Sequence, residues 1–169
     1  MPIYVTQQLN GITTGSDKNA MRPLLSGLAD RLSSQILASS GLLIFGAASA
    51  LAKTGASATP AIANGVLLSI AASTSMAALS GTTAQNTFNV YAFYINQLGT
   101  LTTLMGAAGA TLSAVKFPDT ATGRTMIGFI TVNPTSAAFI GGTTALDAAA
   151  TNVVYVNTVS AFDPTLLVS

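Results

Sequence analysis

Apolar residues recur at spacings of three and four early in the chain, at Met21, Leu24, Leu25, Leu28, Leu32 and Ile36. On a 3.6-residue period these positions form one stripe, with Ser26, Asp30, Ser33 and Ser34 on the other side, so the pattern predicts an amphipathic helix. Pro23 suits its first turn and Ser40-Gly41 its end, because glycine readily takes the left-handed conformation that closes helices. Beyond Gly41 the period shortens, and turn residues return about every eight to twelve positions, the habit of an all-β domain. Strands are predicted over 43–51, 61–70, 87–96, 100–105, 126–132, 137–140 and 153–159. The fold class is therefore mainly β: an antiparallel β-sandwich or barrel-like domain with an N-terminal extended arm and one short amphipathic helix. Residues 1–40 read as the arm and helix, serving anchoring and assembly, and residues 41–169 as the β-rich domain.

Strand 87–96 carries the clearest alternation. Phe88, Val90, Ala92 and Tyr94 fall on one face and Tyr91, Phe93 and Ile95 on the other, so both faces are apolar. Such a strand belongs at the centre of a packed sheet or at a contact between subunits. Asn96-Gln97-Leu98-Gly99 can close a hairpin, Asn133-Pro134-Thr135 is a turn tripeptide, and Gly141-Gly142 supplies another reversal. The small, weakly patterned residues of 107–114 and 143–151 read as loops.

Charge changes this picture more than hydropathy does. The 169 residues hold six Lys and Arg and five Asp, with no Glu, His, Cys or Trp, and residues 54–115 pass without one charged side chain. Average usage would place about 42 charges on a chain this long. A compact monomer of 16.9 kDa would spread its few charges over about 7,700 Å² of surface. A free monomer with so bare a surface tends to associate, because charge is what keeps exposed patches apart. The expectation is that neighbouring copies cover much of it.

Other chemistry finds little basis in the residues. A net charge of +1 on isolated residues gives no nucleic-acid footprint, which needs clustered Lys and Arg. Without cysteine there are no disulfides, no thiolate nucleophile and none of the usual structural zinc sites. Asp17, Asp30, Asp119, Asp147 and Asp163 stand singly, and Asp119 and Asp163 sit beside prolines as turn residues do. Ser113-Ala114-Val115-Lys116 has the S-x-x-K spacing of serine β-lactamases and Lys53-Thr54-Gly55 their K-T-G, but the triplet comes first and no S-D-N element accompanies them. Residues 32–52 are uncharged and nominally long enough to span a bilayer, yet five serines, Gln35 and two glycines interrupt them, so no membrane span is expected. Residues 1–10 lack the basic start and apolar centre of a secretory signal. The expectation is a protein that is not an enzyme, with no catalytic residue, no cofactor and no metal, binding neither nucleic acid nor membrane.

Two blocks carry a family resemblance. One runs Ser75-Met76-Ala77-Ala78-Leu79-Ser80-Gly81, then Thr87-Phe88-Asn89-Val90-Tyr91-Ala92-Phe93 and Gly99-Thr100-Leu101-Thr102. The other runs Met126-Ile127-Gly128-Phe129-Ile130-Thr131-Val132-Asn133-Pro134-Thr135, then Phe139-Ile140-Gly141-Gly142-Thr143-Thr144-Ala145-Leu146-Asp147. Together, over about 50–164, they resemble the Ala/Thr/Gly-rich β domains of tailed-bacteriophage virion proteins, the capsid decoration, head-fibre and tail components. The resemblance implies a structural protein made in the host bacterial cytoplasm and located in the virion, on the capsid surface. There a homotrimer would bind the major capsid protein as a decoration or cement protein and stabilise the head. The alternative is a tail-fibre or other receptor-binding tail component. The residues expected to carry assembly are Leu24, Leu25, Leu28, Leu32 and Ile36 on the helix, with Tyr91, Phe93 and Ile95 on the central strand.

Overall fold

The computed structural model describes residues 32–119 and 123–160, with 21–23, 25, 26, 28 and 29 before them. The fold is mainly β and, among the described residues, its ladders are antiparallel and form no closed barrel. Eleven strands are formed among the described residues: β1 (Gln35–Ile36), β2 (Leu43–Ile44), β3 (Ala52–Lys53), β4 (Thr59–Ala63), β5 (Val66–Ile70), β6 (Thr82–Thr83), β7 (Asn89–Asn96), β8 (Leu101–Met105), β9 (Arg124–Val132), β10 (Phe139–Ile140) and β11 (Val154–Asn157). The larger sheet has the order β11-β9-β7-β8 and a second has β1-β4-β5, while β2-β3 and β10-β6 are short ladders beside them.

The two larger sheets meet across one core. Tyr91, Phe93 and Ile95 of β7 and Ile127, Ile130 and Val132 of β9 share it with Ile36 of β1, Ala61 of β4 and Ile70 of β5. Leu42, Met76, Leu79, Phe139 and Leu146 close its sides. Thr125 ties the sheets directly, its hydroxyl donating to the Ile62 carbonyl of β4. The arrangement is sandwich-like, and each buried apolar side chain of Leu, Ile or Phe size contributes about 1.5–3 kcal/mol to it.

The opposite face of β7 is covered as well. Val90, Ala92 and Tyr94 pack there with Met126 and Phe129, beneath Val115 and Phe117. The Phe117 ring meets Phe129 edge to face, 4.9 Å between centroids, a geometry that places a positive ring edge on a negative ring face. Part of the expected loop 107–114 is ordered against the sheet. Phe88 bridges Gly109, Ala107 bridges Lys116, and Leu112–Ala114 turn as a 3-10 helix. Gly106 permits this close return, since a Cβ there would lie against the Lys116 carbonyl oxygen and 2.5 Å from Val90 Cγ1.

A bulge sets the register between β7 and β9. Phe93 faces Gly128 and Tyr94 faces Met126, so Ile127 is the extra residue and the pairing shifts there. The shift lets Ile127 and Ile130 both enter the main core while Met126 and Phe129 enter the opposite one.

Three expectations need correction. The helix does not continue through Ile36 to Ser40-Gly41. Met21, Arg22, Pro23, Leu25, Ser26, Leu28, Ala29 and Leu32 are helical, the Ser33 N–H donates back to the Ala29 carbonyl at 2.9 Å, and Ile36 lies in β1 opposite Ala61. Burial wins over helical spacing there, because Ile36 is wholly enclosed in the core and Ser34 turns its hydroxyl to accept the Asn64 N–H at 3.1 Å. Gln35 and Ile36 therefore belong to the β structure. The single strand expected over 61–70 is a hairpin, β4 and β5 joined at Asn64-Gly65, whose φ values of 50° and 77° are those a two-residue primed turn demands. The strand expected over 43–51 is likewise a hairpin, with Leu43 and Ile44 pairing Lys53 and Ala52.

Tyr91 and Tyr155 give the fold an alkaline limit. Burial raises the Tyr91 phenol, partly offset by its 3.1 Å hydrogen bond with Thr83, and burial followed by the charge of Asp147 raises Tyr155. Both phenols are thus held neutral by folding, so their contribution is complete below about pH 10, where unfolded tyrosine ionises, and is lost as pH rises above it. The urea midpoint should fall between pH 9 and pH 11, and Tyr91→Phe should make the fall shallower. A flat midpoint over that interval in the wild type would refute this.

Candidate assembly surface

Side chains able to meet another molecule are those the fold leaves outside. Among the described residues thirteen large apolar side chains are exposed, including Leu28 at 52%, Leu32 at 58%, Leu67 at 69% and Leu98 at 81%. Six charged residues accompany them: Arg22, Lys53, Lys116, Asp119, Arg124 and Asp147. Two of these are engaged locally. Lys53 Nζ stands 5.5 Å from the centre of the exposed Phe45 ring, and Asp147 Oδ2 accepts the Ala48 N–H at 2.9 Å.

Several of the exposed residues gather at one end. The Asn64-Gly65 turn lies beside the β7–β8 hairpin tip, where the Asn64 amide donates to Gln97 Oε1 at 2.6 Å. The Gly65 N–H donates to the Ser33 carbonyl at 2.7 Å, which brings the last helical turn to the same place. Leu32, Val66, Leu67 and Leu98 thus surround one hairpin end. The β7–β8 tip holds its shape through Asn96, whose Oδ1 accepts the N–H groups of Leu98 and Thr100, both at 2.9 Å, leaving Leu98 projecting.

The residues expected to carry assembly divide into two groups. Leu28 and Leu32 are exposed, Leu25 is half-buried, and Leu24 lies outside the described residues. Ile36 is in the core, as are Tyr91, Phe93 and Ile95, at 0%, 1% and 3% exposure. For those four the expectation is corrected: they join the chain's own sheets and present no surface to a partner. A strand apolar on both faces fits the centre of a sheet and a subunit contact equally, and the cover supplied by Val115 and Phe117 places β7 in the first class.

The candidate chemical groups are dispersed. Among the described residues no three of His, Cys, Asp and Glu approach one another closely enough to hold a metal ion, and no helix is long and apolar enough to cross a membrane. Ser113 makes a 3.1 Å contact with Thr111 on the exposed 3-10 turn, whereas Lys53 sits on β3. Thr54 is buried, bonded to the Ala71 carbonyl and the Thr74 N–H. Asp17, Asp30 and Asp163 lie outside the described residues.

At this hairpin end the exposed residues missed by the sequence reading are Val66, Leu67 and Leu98. The Asn64-Gly65 dipeptide was the signal that would have found the first two, since it turns one long strand into a hairpin with an outer edge. Compared with family models, with curated proteins and with solved structures, the chain matches none.

Proposed function

We propose that the chain is a structural subunit of a tailed-phage virion, a decoration or cement protein that associates with itself as a homotrimer and adheres to the major capsid protein on the capsid surface. The two residue blocks that resemble virion β domains support the virion assignment. The observation that carries the adhesive role is the exposure of thirteen large apolar side chains on a surface with six charges among the described residues. The mechanism is contact rather than catalysis. Leu28 and Leu32 are each about half exposed, so covering the remainder contributes about 1 kcal/mol apiece. Repetition over symmetry-related copies multiplies such modest terms, because each bound arm raises the effective concentration of the next.

Light scattering on the recombinant chain should give three times 16.9 kDa, or a multiple of that mass, at micromolar concentration. Leu28→Asp should lower that mass or strip the protein from capsids while shifting the unfolding midpoint little, since a half-exposed side chain costs the monomer about 0.5 kcal/mol or less. A clean wild-type monomer, or undiminished capsid occupancy by Leu28→Asp, overturns the proposal. Antibody labelling of virions on the tail instead of the head would replace it with a tail receptor-binding role.

A further inference from the structure

The edges of the two larger sheets are treated unequally. At β11, Asn157 Oδ1 accepts the Leu42 N–H at 2.8 Å and the Ser40 hydroxyl at 2.9 Å. At β1, the Ser160 N–H donates to the Ile36 carbonyl at 2.7 Å. Beside β8, Thr103 donates to the Ala77 carbonyl at 2.7 Å. The outer side of β5 has no such neighbour among the described residues.

Hairpin geometry identifies the groups left open. A two-residue turn makes Ala63 and Val66 a hydrogen-bonded pair, and antiparallel pairs then alternate. Leu67 and Ser69 consequently fall at non-hydrogen-bonded positions toward β4 and direct their N–H and C=O outward. Pro60 confirms the alternation, since it stands opposite Ser69, lacks an N–H, and offers its carbonyl to Leu37 of the β1 side at 3.0 Å. Sheet edges are commonly guarded by lysine, proline or a bulge. Val66-Leu67-Leu68-Ser69-Ile70 has none of these, and its ladder with β4 is regular throughout.

We propose that β5 is a self-pairing edge: two copies join these strands antiparallel about a twofold axis at Leu68, merging two three-stranded sheets into one of six. The spacing is self-complementary. Leu67 of each copy meets Ser69 of the other as a hydrogen-bonded pair, giving four main-chain bonds around a central Leu68–Leu68 contact. Charge favours a second copy as the occupant, because residues 54–115 carry none and like surfaces meet without repulsion. The groove between β5 and the β7–β8 hairpin adds apolar area. It measures about 180 Å³, and Leu68, Ile70, Ile95 and Leu101 are among its walls, so the neighbouring Leu68 has a surface to cover. The contact is twofold and independent of the virion assignment and of any threefold contact made through the helix.

The absence of native cysteine makes the test clean. In the full chain, single substitutions Val66→Cys, Leu67→Cys, Leu68→Cys, Ser69→Cys and Ile70→Cys are oxidised mildly, with Ser57→Cys as control. Leu68→Cys should give the most disulfide-linked dimer, since its two copies meet at the axis with Cα atoms about 4.5 Å apart. Val66→Cys and Ile70→Cys should give little, their copies lying about 13 Å apart along the strand. Independently, Ser69→Pro should abolish this association in sedimentation velocity with the circular dichroism spectrum retained, because it removes an outward N–H that β4 does not use. A maximum at another position, no excess of Leu68→Cys over the control, or unaltered association of Ser69→Pro each overturns the pairing. Retained oligomer mass alongside such a result leaves the adhesive role standing, whereas a monomeric wild type removes both.

Discussion

Phe139→Ala should lower the unfolding free energy by about 3–5 kcal/mol, a large part of the 5–15 kcal/mol that holds a typical domain. Phe139 is fully enclosed, and its ring meets Tyr91 edge to face at a centroid distance of 5.6 Å. The site has little means of collapsing, because Tyr91 belongs to the central strand and is anchored by Thr83, the residue paired with Phe139 across the β6–β10 ladder. That ladder has only two residue pairs, so the aromatic contact helps to fix it to the core. Ile140 provides the internal control. It is the next residue on the same strand, points outward and is 49% exposed, so Ile140→Ala should cost less than about 1 kcal/mol. Urea unfolding followed by tyrosine fluorescence checks both, with an unchanged m value for each. Comparable losses for the two variants would mean that Phe139 does not face the core.

Legibility in the sequence depended on whether local pattern and tertiary packing agree. They agree on β7, where apolar residues on both faces announce a strand covered on both sides, and on the Asn96 to Gly99 reversal, where side-chain capping and a positive φ at Gly99 serve the same turn. They conflict at Ile36. Its spacing from Leu32 continues a helical stripe, while its partner Ala61 and the core that encloses it lie elsewhere in the chain. No window of local sequence contains that pairing. Residues 61–70 are a different kind of error, since the apolar run hides a turn that Asn64-Gly65 states openly.

The candidate surface was legible as a quantity but not as a place. Scarcity of charge raises the expectation of a covered surface without locating it, and the structure places exposed apolar residues around the Asn64-Gly65 turn. Which residues remain outside depends on the covering segment. Val115 and Phe117 close the second face of β7 from a stretch whose small residues carry almost no periodic signal, and they thereby convert Tyr94 and Phe129 into core. Exposure then falls to residues such as Leu67 and Leu98, whose side chains are no less apolar than those buried. The difference lies in strand order and edge position, which are global properties.

Gly128→Ala should destabilise the fold at the upper end of the 1–3 kcal/mol usual for overpacking and should do so by loosening β11. A Cβ built on Gly128 lies 2.6 Å from Leu42 Cδ1 and 2.6 Å from the Val156 carbonyl oxygen. The leucine tip could turn aside if there were room, but Leu42 is 5% exposed and packed in the core. The carbonyl is backbone, so relief requires β11 to move from β9, against the pairing of Val156 with Phe129 and Asn157 with Gly128. Moving Asn157 also strains its bonds to Leu42 and Ser40, which join this edge to the segment entering the core. Hydrogen exchange should therefore accelerate selectively at Val154–Asn157 and Leu42, with the β7–β8 ladder protected as before. Uniform acceleration across both sheets would show instead that the bulge at Ile127 organises the whole larger sheet, and an unchanged midpoint would show that the glycine is dispensable.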